Sequence, residues 1–365
     1  MRRLERLCLC FVNNRSLDVS NKPRVEFFPS WGKIGEDLGA MLRCEMGWNE
    51  HTTEAFMAHS FSTLWLTMSP DPNQGMCIPA LGGKASCVKE LHVVGGGNID
   101  GLEQFIGVHS ITVAPFPKNG IQFSRYPNLT RVAACWDKKF SKDLFSCKNI
   151  IDVNFDGGFP DEDCGRLNTL PELLRVGFTG GSLRSLSGLE ACKKLNSISL
   201  QLVRGIHDLS NISEFIDLRG LYLTNLPNLK SDFSLKKNEN LRDVWFDSLP
   251  GVDGVFGFNG FPYVENIYVV KCPGVKVDLS GLKNAKNLQK LWTTEDCINM
   301  NLDDIFSCKK LKVFQCREAG DLLGRDDDLV GLAEKQGGKI TKIVRNGPKK
   351  SRWIRIYFDA PDSVN

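Results

Sequence analysis

The sequence lacks the features that mark membrane-spanning or strongly charged proteins. No apolar run approaches the roughly 18 to 20 residues that span a bilayer. The longest run near the start, Leu7 to Val12, is too short and too poorly flanked for a signal peptide. The 46 Lys and Arg residues nearly balance the 43 Asp and Glu residues, which leaves a net charge of +3. This composition is typical of soluble folded proteins and predicts a cytoplasmic location, with no membrane partner.

Catalytic and cofactor-binding motifs are scarce as well. There is no Gly-x-Ser-x-Gly nucleophile motif, no Walker loop and no His-Glu-x-x-His motif, and the chain has only five His residues. Gly95, Gly96 and Gly97 follow a predicted strand but lack the spacing of a dinucleotide-binding loop. We therefore predict no catalytic residue, no cofactor and no enzyme activity. The alternative is that the protein is an enzyme whose activity lies in the N-terminal region.

The thirteen cysteines do not form a framework for disulfides or metal. They are spread from Cys8 to Cys316, and the pair Cys8 and Cys10 has no second pair nearby to complete a set of metal ligands. An odd number of scattered cysteines favours reduced thiols. We predict no metal site and small buried cysteines instead.

An apolar pattern repeats through most of the chain. It has an apolar anchor followed by apolar residues three and five positions later, as in Leu195, Ile198 and Leu200. The anchors are spaced by 20 to 24 residues. They are Val88, Val108, Leu129, Ile150, Leu173, Leu195, Leu218, Leu241, Val264, Leu288 and Leu311. Units this short bury their apolar residues only by stacking on each other, so the period predicts a solenoid.

The repeat resembles the leucine-rich repeat over residues 86–324. The resemblance implies an α/β solenoid, a curved array of about eleven repeats with a parallel β-sheet on its concave face. The ninth position of the repeat, where that family has Asn or Cys, is here mostly Gly, Asp or an apolar residue. Because an asparagine ladder is absent, we expect irregular turns after the strands, with proline corners at Pro227, Pro250 and Pro273.

The two ends differ from the repeats and predict caps. Residues 1–85 are rich in aromatic residues and fit an N-terminal cap, in which Phe61, Leu64 and Leu66 match an irregular first repeat. Residues 325–365 predict a helix after Asp326 and then two short strands, Lys339 to Arg345 and Ser351 to Phe358. The predicted organisation is therefore a repeat array between two caps.

The outward strand positions carry the candidate binding residues. The fourth residue after the anchor is a large aromatic in four consecutive repeats: Tyr222, Trp245, Tyr268 and Trp292. Positions two and six add polar and charged residues, namely Asp243, Asp247, Asn266, Lys290 and Arg317. Aromatic side chains bordered by mixed charges are typical of a protein interface. The alternative is that the rings only pack on each other.

A second candidate surface is basic. Eight Lys or Arg residues and no acidic residue lie between Lys335 and Arg355, accompanied by Trp353. Such a segment attracts phosphate, but the repeats contain no continuous basic stripe, so nucleic acid is an unlikely partner. We predict a non-enzymatic protein that binds a protein partner in its concave face. Its architecture loosely resembles bacterial immunity proteins, which implies blockade of a toxin, and the acidic concave residues suit a basic toxin. The alternatives are a recognition or scaffolding subunit of a larger complex and a nucleic-acid binder that uses the basic C-terminal segment.

Overall fold

A computed structural model describes nine segments of the chain. They are residues 24–26, 40–45, 47–68, 74–139, 141–230, 238–317, 326–335, 339–346 and 353–358. Several predicted features lie outside them: the pair Cys8 and Cys10, the turn at Gly347 and Pro348, and three residues of the basic segment, Lys349, Lys350 and Arg352.

The chain alternates strands with short return segments. The strands are β1 (Arg24–Glu26), β2 (Ala40–Glu45), β3 (Phe61–Thr67), β4 (Met76–Cys77), β5 (Glu90–Val94), β6 (Ile99–Asp100), β7 (Ser110–Val113), β8 (Arg131–Cys135), β9 (Asp152–Asp156), β10 (Arg175–Thr179), β11 (Ser197–Gln201), β12 (Gly220–Thr224), β13 (Asp243–Asp247), β14 (Asp253–Gly257), β15 (Asn266–Val270), β16 (Gly274–Asp278), β17 (Lys290–Thr293), β18 (Asp296–Ile298), β19 (Val313–Arg317), β20 (Ile340–Asn346) and β21 (Trp353–Phe358).

Helices are short, and most return segments contain a single turn of 3-10 helix. The α-helices are α1 (Glu50–Ala58), α2 (Leu302–Phe306) and α3 (Asp326–Lys335). The 3-10 helices are Gly82–Cys87, Leu102–Gln104, Phe123–Arg125, Ser141–Ser146, Gly165–Thr169, Leu189–Ala191, Ser210–Glu214 and Leu282–Asn284. None of the helices in the described segments is both long and apolar enough to cross a bilayer.

One sixteen-stranded open sheet runs through the whole array. Its order is β1-β2-β3-β5-β7-β8-β9-β10-β11-β12-β13-β15-β17-β19-β21-β20. Neighbouring strands are parallel from β2 to β19, whereas β1 at one end and β21 at the other pair antiparallel. Two small parallel sheets, β14-β16-β18 and β4-β6, form in the return segments. The fold is a curved α/β solenoid with the parallel sheet on its concave face, as the resemblance to the leucine-rich repeat implies.

The core lies behind this sheet and is built from the repeating apolar positions. In β13, for example, Val244 and Phe246 are buried, while Asp243, Trp245 and Asp247 on the other face are half-buried. The buried side chains form one continuous cluster that extends from Leu42 to Ile356. Each strand therefore contributes one face to the core and presents the other face to solvent.

The parallel sheet extends further toward the N terminus than residue 86. Strands β2 and β3 pair in parallel, and β3 pairs in parallel with β5. Phe61, Leu64 and Leu66 are buried in the pattern that the later repeats show. At the other end, α3 and the hairpin of β20 and β21 follow the last parallel strand, β19. The hairpin continues the sheet and covers its end.

The turns after the strands are regular in six consecutive repeats, so the expectation of irregular turns is wrong there. We call the residue seven positions after the anchor the corner residue. It has a positive φ of 51° to 78° in each repeat, and its N–H donates to the next repeat over 2.8 to 3.2 Å. The corner residues are Gly157, Gly180, Leu202, Asn225, Ser248 and Lys271. A backbone hydrogen bond does not depend on the side chain, so the ladder forms without asparagines.

Candidate interaction surface

The four predicted aromatic residues lie side by side on the concave face. Tyr222 is paired in register with Trp245, Trp245 with Tyr268, and Tyr268 with Trp292. Because adjacent strands are about 4.8 Å apart, the four positions span about 15 Å across the sheet. All four side chains are half-buried. We call these four residues, together with Arg355, the aromatic column.

The rings pack against each other to different extents. Trp245 and Tyr268 are stacked, with centroids 3.7 Å apart and planes 8° apart. Tyr268 and Trp292 are tilted by 42°, with centroids 5.7 Å apart. Stacking of this kind fixes the orientation of each ring, and each side chain remains half-buried. The rings therefore do pack on each other, as the alternative interpretation expects. The same packing also makes the row of rings a rigid surface.

Tyr222 lies over a glycine in its own strand. A Cβ atom added to Gly220 would come within 2.8 Å of a ring carbon of Tyr222 and within 3.0 Å of its hydroxyl oxygen. Burial raises the pKa of the Tyr222 hydroxyl above its ordinary value, the Asp243 carboxylate raises it further, and Arg175 lowers it. Gly220 thus provides the space in which the Tyr222 ring is partly covered.

Most of the predicted polar residues border the column. Asn266 donates to Asp243 on the neighbouring strand over 2.7 Å. The hydroxyl of Ser248 donates to Asp247 over 2.8 Å. Lys290 is exposed, and no carboxylate within the described segments forms an ion pair with it. Both signs of charge therefore lie beside the rings.

Arg317 has a different environment from the one predicted. Its guanidinium group lies 2.7 Å from a carboxylate oxygen of Asp296, which belongs to the small sheet that contains β18. Both side chains are largely exposed. The structure therefore places Arg317 at the rim of the surface, directed toward the second sheet.

The C-terminal hairpin adds residues that the repeat pattern did not reveal. Arg355 pairs in register with Gln315, which continues the row of the aromatic column. Its guanidinium carbon lies 3.8 Å from the ring centroid of Trp292 and 5.0 Å from that of Trp353. It also donates to Gln315 over 2.6 Å and to the Tyr357 hydroxyl over 3.1 Å. The aromatic surface and part of the basic segment are thus one surface.

A smaller aromatic group lies in the same row near the N terminus. Trp65 and His92 are stacked, with centroids 4.8 Å apart, and Arg43 lies over the Trp65 ring at 5.5 Å. Trp65 is the fourth residue after Phe61, which is the outward position that carries the other aromatic residues. The irregular first repeat therefore indicates this position for Trp65 from the sequence alone. Small or polar residues occupy the row between the two groups: Thr112, Ala133, Asn154, Gly177 and Ser199.

The described segments offer no obvious place for a metal ion. Within them, no three or more His, Cys, Asp or Glu side chains gather in an arrangement that could hold one. Burial raises the pKa of the Cys272 thiol to about 12 and that of the Cys192 thiol to about 11, so both thiols are neutral near pH 7. These cysteines fill the core, as small apolar residues do.

The solved structures similar to this chain include an internalin and a leucine-rich repeat protein, both at low identity, and no family model matches the sequence. An internalin from Listeria monocytogenes is similar over 77% of this chain and 87% of its own, with 11% identity and a TM-score of 0.48. A leucine-rich repeat protein from Leptospira interrogans is similar over 73% of this chain and 87% of its own, with 12% identity and a TM-score of 0.30. Since both likenesses are distant, we assign the fold from the chain itself. Its repeat spacing, buried strand positions and parallel register identify a solenoid of the leucine-rich-repeat type.

Proposed function

We propose that this protein is a non-enzymatic binding protein that holds a protein partner against the aromatic column. The observation that carries the proposal is the row of contacting side chains Trp245, Tyr268, Trp292 and Arg355 on the solvent-facing side of the sheet. The opposite face of the sheet already supplies the core. Tryptophan, tyrosine and arginine are also the residues that most often dominate binding energy at protein interfaces.

The surroundings of the column support a protein partner in particular. Asp243 and Asp247 flank Trp245 on its own strand, and Lys290 and Arg355 lie on other strands of the same face. A partner with both charge signs can match this arrangement, which sets orientation more than affinity. The rings are held in place by stacking, so little side-chain freedom is lost on binding.

Two biological roles are consistent with this mode of binding. In one, the protein neutralises a toxin by covering its active site in a stoichiometric complex, and Asp243 and Asp247 would contact basic groups of that toxin. In the other, the protein is a recognition or scaffolding subunit of a larger assembly. The identity of the bound protein distinguishes these roles, because only a toxin loses its activity when the complex forms.

Nucleic acid is the less favoured partner. Two described cations of the basic segment are already engaged within the molecule. Arg345 lies 2.9 Å from a carboxylate oxygen of Asp326, and Arg355 is held by Trp292 and Gln315. A nucleic-acid site would require several cations directed toward phosphate, and its affinity would fall steeply with salt.

The test is capture of partners from lysate of the native organism with four baits: wild type, two variants and a control. Wild type is compared with Trp245→Ala and with Lys290→Glu, which reverses an exposed charge and leaves the ring stack in place. We expect a stoichiometric protein on wild type and at least about a thirtyfold loss of affinity with Trp245→Ala, as is usual for a central aromatic anchor.

The control is Tyr263→Ala, which removes an aromatic ring that is 47% exposed and lies outside the column. Circular dichroism checks that every bait is folded. Capture of the same proteins by all baits would show that the column is only packing. Recovery of nucleic acid alone, released by salt, would favour the basic segment instead.

A further inference from the structure

The side chains of four consecutive corner residues gather in one groove at the edge of the sheet. Leu202, Asn225, Ser248 and Lys271 line it together with Arg204, Pro227 and Pro250. The groove has a volume of about 430 Å³ and follows the carboxyl ends of strands β11, β12, β13 and β15. It therefore lies beyond the ends of the strands that bear the aromatic column and is separate from it.

The left-handed corner does not itself explain these side chains. A residue other than glycine, asparagine or aspartate costs roughly 1 to 2 kcal/mol in the left-handed conformation, and Leu202, Ser248 and Lys271 are such residues. The two preceding repeats place Gly157 and Gly180 at the same corner with the same hydrogen bond. Leu202 has a φ of 57° and is 50% exposed, so burial offsets little of that cost. Side chains at this position therefore point to a role outside the fold.

The charges of the groove are of one sign. Its lining residues include two cations, Arg204 and Lys271, and no carboxylate. Both cations are exposed, and neither forms an ion pair with another residue of the described segments. The nearest acidic residue along the chain, Asp247, accepts a hydrogen bond from Ser248. An anionic ligand would match this lining.

The spacing of the cations suggests the length of that ligand. Arg204 and Lys271 belong to repeats three steps apart, which corresponds to about 14 Å between their strands. Four residues of extended peptide span about 13 Å. Leu202 adds an apolar contact at one end, and the rings of Pro227 and Pro250 form rigid walls.

We propose that the groove binds an extended acidic peptide segment. Two carboxylates about four residues apart pair with Arg204 and Lys271, and an apolar side chain at the Arg204 end of the peptide packs on Leu202. The site does not depend on the aromatic column, so one partner can occupy both surfaces or two partners can occupy one each.

A displayed library of random seven-residue peptides tests this site without a known partner. Immobilised wild type should enrich peptides with two acidic residues four positions apart. The variant Arg204→Gln/Lys271→Gln should retain them about tenfold less well, because two charge-assisted contacts are lost. The matched control, Lys276→Gln/Lys283→Gln, removes two exposed lysines outside the groove and should retain them fully.

Three results would overturn the proposal: no enrichment, enrichment without acidic residues, or equal retention by the groove variant and wild type. The variant Trp245→Ala distinguishes failure of the groove proposal from failure of the proposed function. If it loses the peptides while the groove variant keeps them, the peptides bind the aromatic column, and only the groove is refuted.

Discussion

The guanidinium group of Arg355 lies over the ring of Trp292, with its central carbon 3.8 Å from the ring centroid. Trp292 belongs to the repeat array and Arg355 to the antiparallel hairpin that follows it. This contact adds to the backbone pairing of β19 with β21 and ties the side chains of the last parallel strands to the hairpin that covers their edge. An edge left open would present unpaired backbone groups to other chains.

Replacing this arginine should loosen the hairpin measurably. Arg355→Gln removes the contact with Trp292 and the hydrogen bonds to Gln315 and Tyr357. We expect the free energy of unfolding to fall by about 1 to 2 kcal/mol, as measured by urea denaturation. Hydrogen exchange in β20 and β21 should become faster.

Arg317→Gln is the matched control for this variant. Its ion pair with Asp296 is exposed and should contribute less than about 1 kcal/mol. Equal losses for the two variants would mean that the contact between Arg355 and Trp292 does not hold the hairpin.

The sequence predicted the repeat array and the aromatic column because both follow from one period. In a stack of parallel strands, equivalent residues of successive repeats become neighbours, so the anchor series sets the register. This is why Tyr222, Trp245, Tyr268 and Trp292 are adjacent in the structure as predicted. Their role in binding a partner stays a prediction.

The features that the sequence did not predict do not follow from the apolar pattern. Arg355 reaches the column through an antiparallel pairing with β19, which no period encodes. The regular corners do not depend on asparagine side chains, because the ladder uses backbone N–H groups, and a sequence pattern does not show these. The position of the Tyr222 ring depends on its rotamer and on Gly220, two residues earlier.

The Gly220→Ala variant should move the Tyr222 ring. The added methyl group would lie 2.8 Å from a ring carbon, so the ring has to swing toward solvent. The pKa of the Tyr222 hydroxyl, which burial raises, should then fall toward its ordinary value. Because only the end of a side chain has to move, the stability cost should be about 1 kcal/mol.

This change can be followed by absorbance at alkaline pH. The contribution of Tyr222 is the difference between each protein and the same protein carrying Tyr222→Phe. An unchanged titration of Tyr222 in Gly220→Ala would contradict the proposal that the Tyr222 ring is partly buried because it lies over Gly220.

The buried thiol of Cys272 should make stability depend on pH above 9. Burial raises its pKa to about 12 from an ordinary value of 9.0. As pH rises through 9, the unfolded chain loses the thiol proton while the folded chain keeps it, so the unfolded state is favoured. Between pH 9 and 11, wild type should lose about 1 kcal/mol per pH unit more than Cys272→Ala.

The measurement is urea denaturation of both proteins at several pH values from 8 to 11. Cys87→Ala, which removes an exposed thiol, is the control and should keep the slope of wild type. If Cys272→Ala keeps the slope as well, ionisation of Cys272 does not contribute to alkaline unfolding.

The Leu202→Gly variant tests whether the corner side chains support the fold. Glycine adopts the left-handed conformation readily, so removing the Leu202 side chain relieves about 1 kcal/mol of backbone strain. The greater freedom of glycine in the unfolded chain costs a similar amount. Since Leu202 is half exposed, we expect the free energy of unfolding to change by less than about 1 kcal/mol, measured by urea denaturation.

Val203→Gly is the comparison, because Val203 is the next residue and is fully buried. Loss of its side chain should cost about 2 to 4 kcal/mol through lost burial and the cavity that remains. If Leu202→Gly costs as much as Val203→Gly, the leucine holds the corner together, and its place in the groove needs no ligand. If Leu202→Gly is neutral and weakens peptide binding, the leucine serves the groove, because its removal affects the ligand and not the fold.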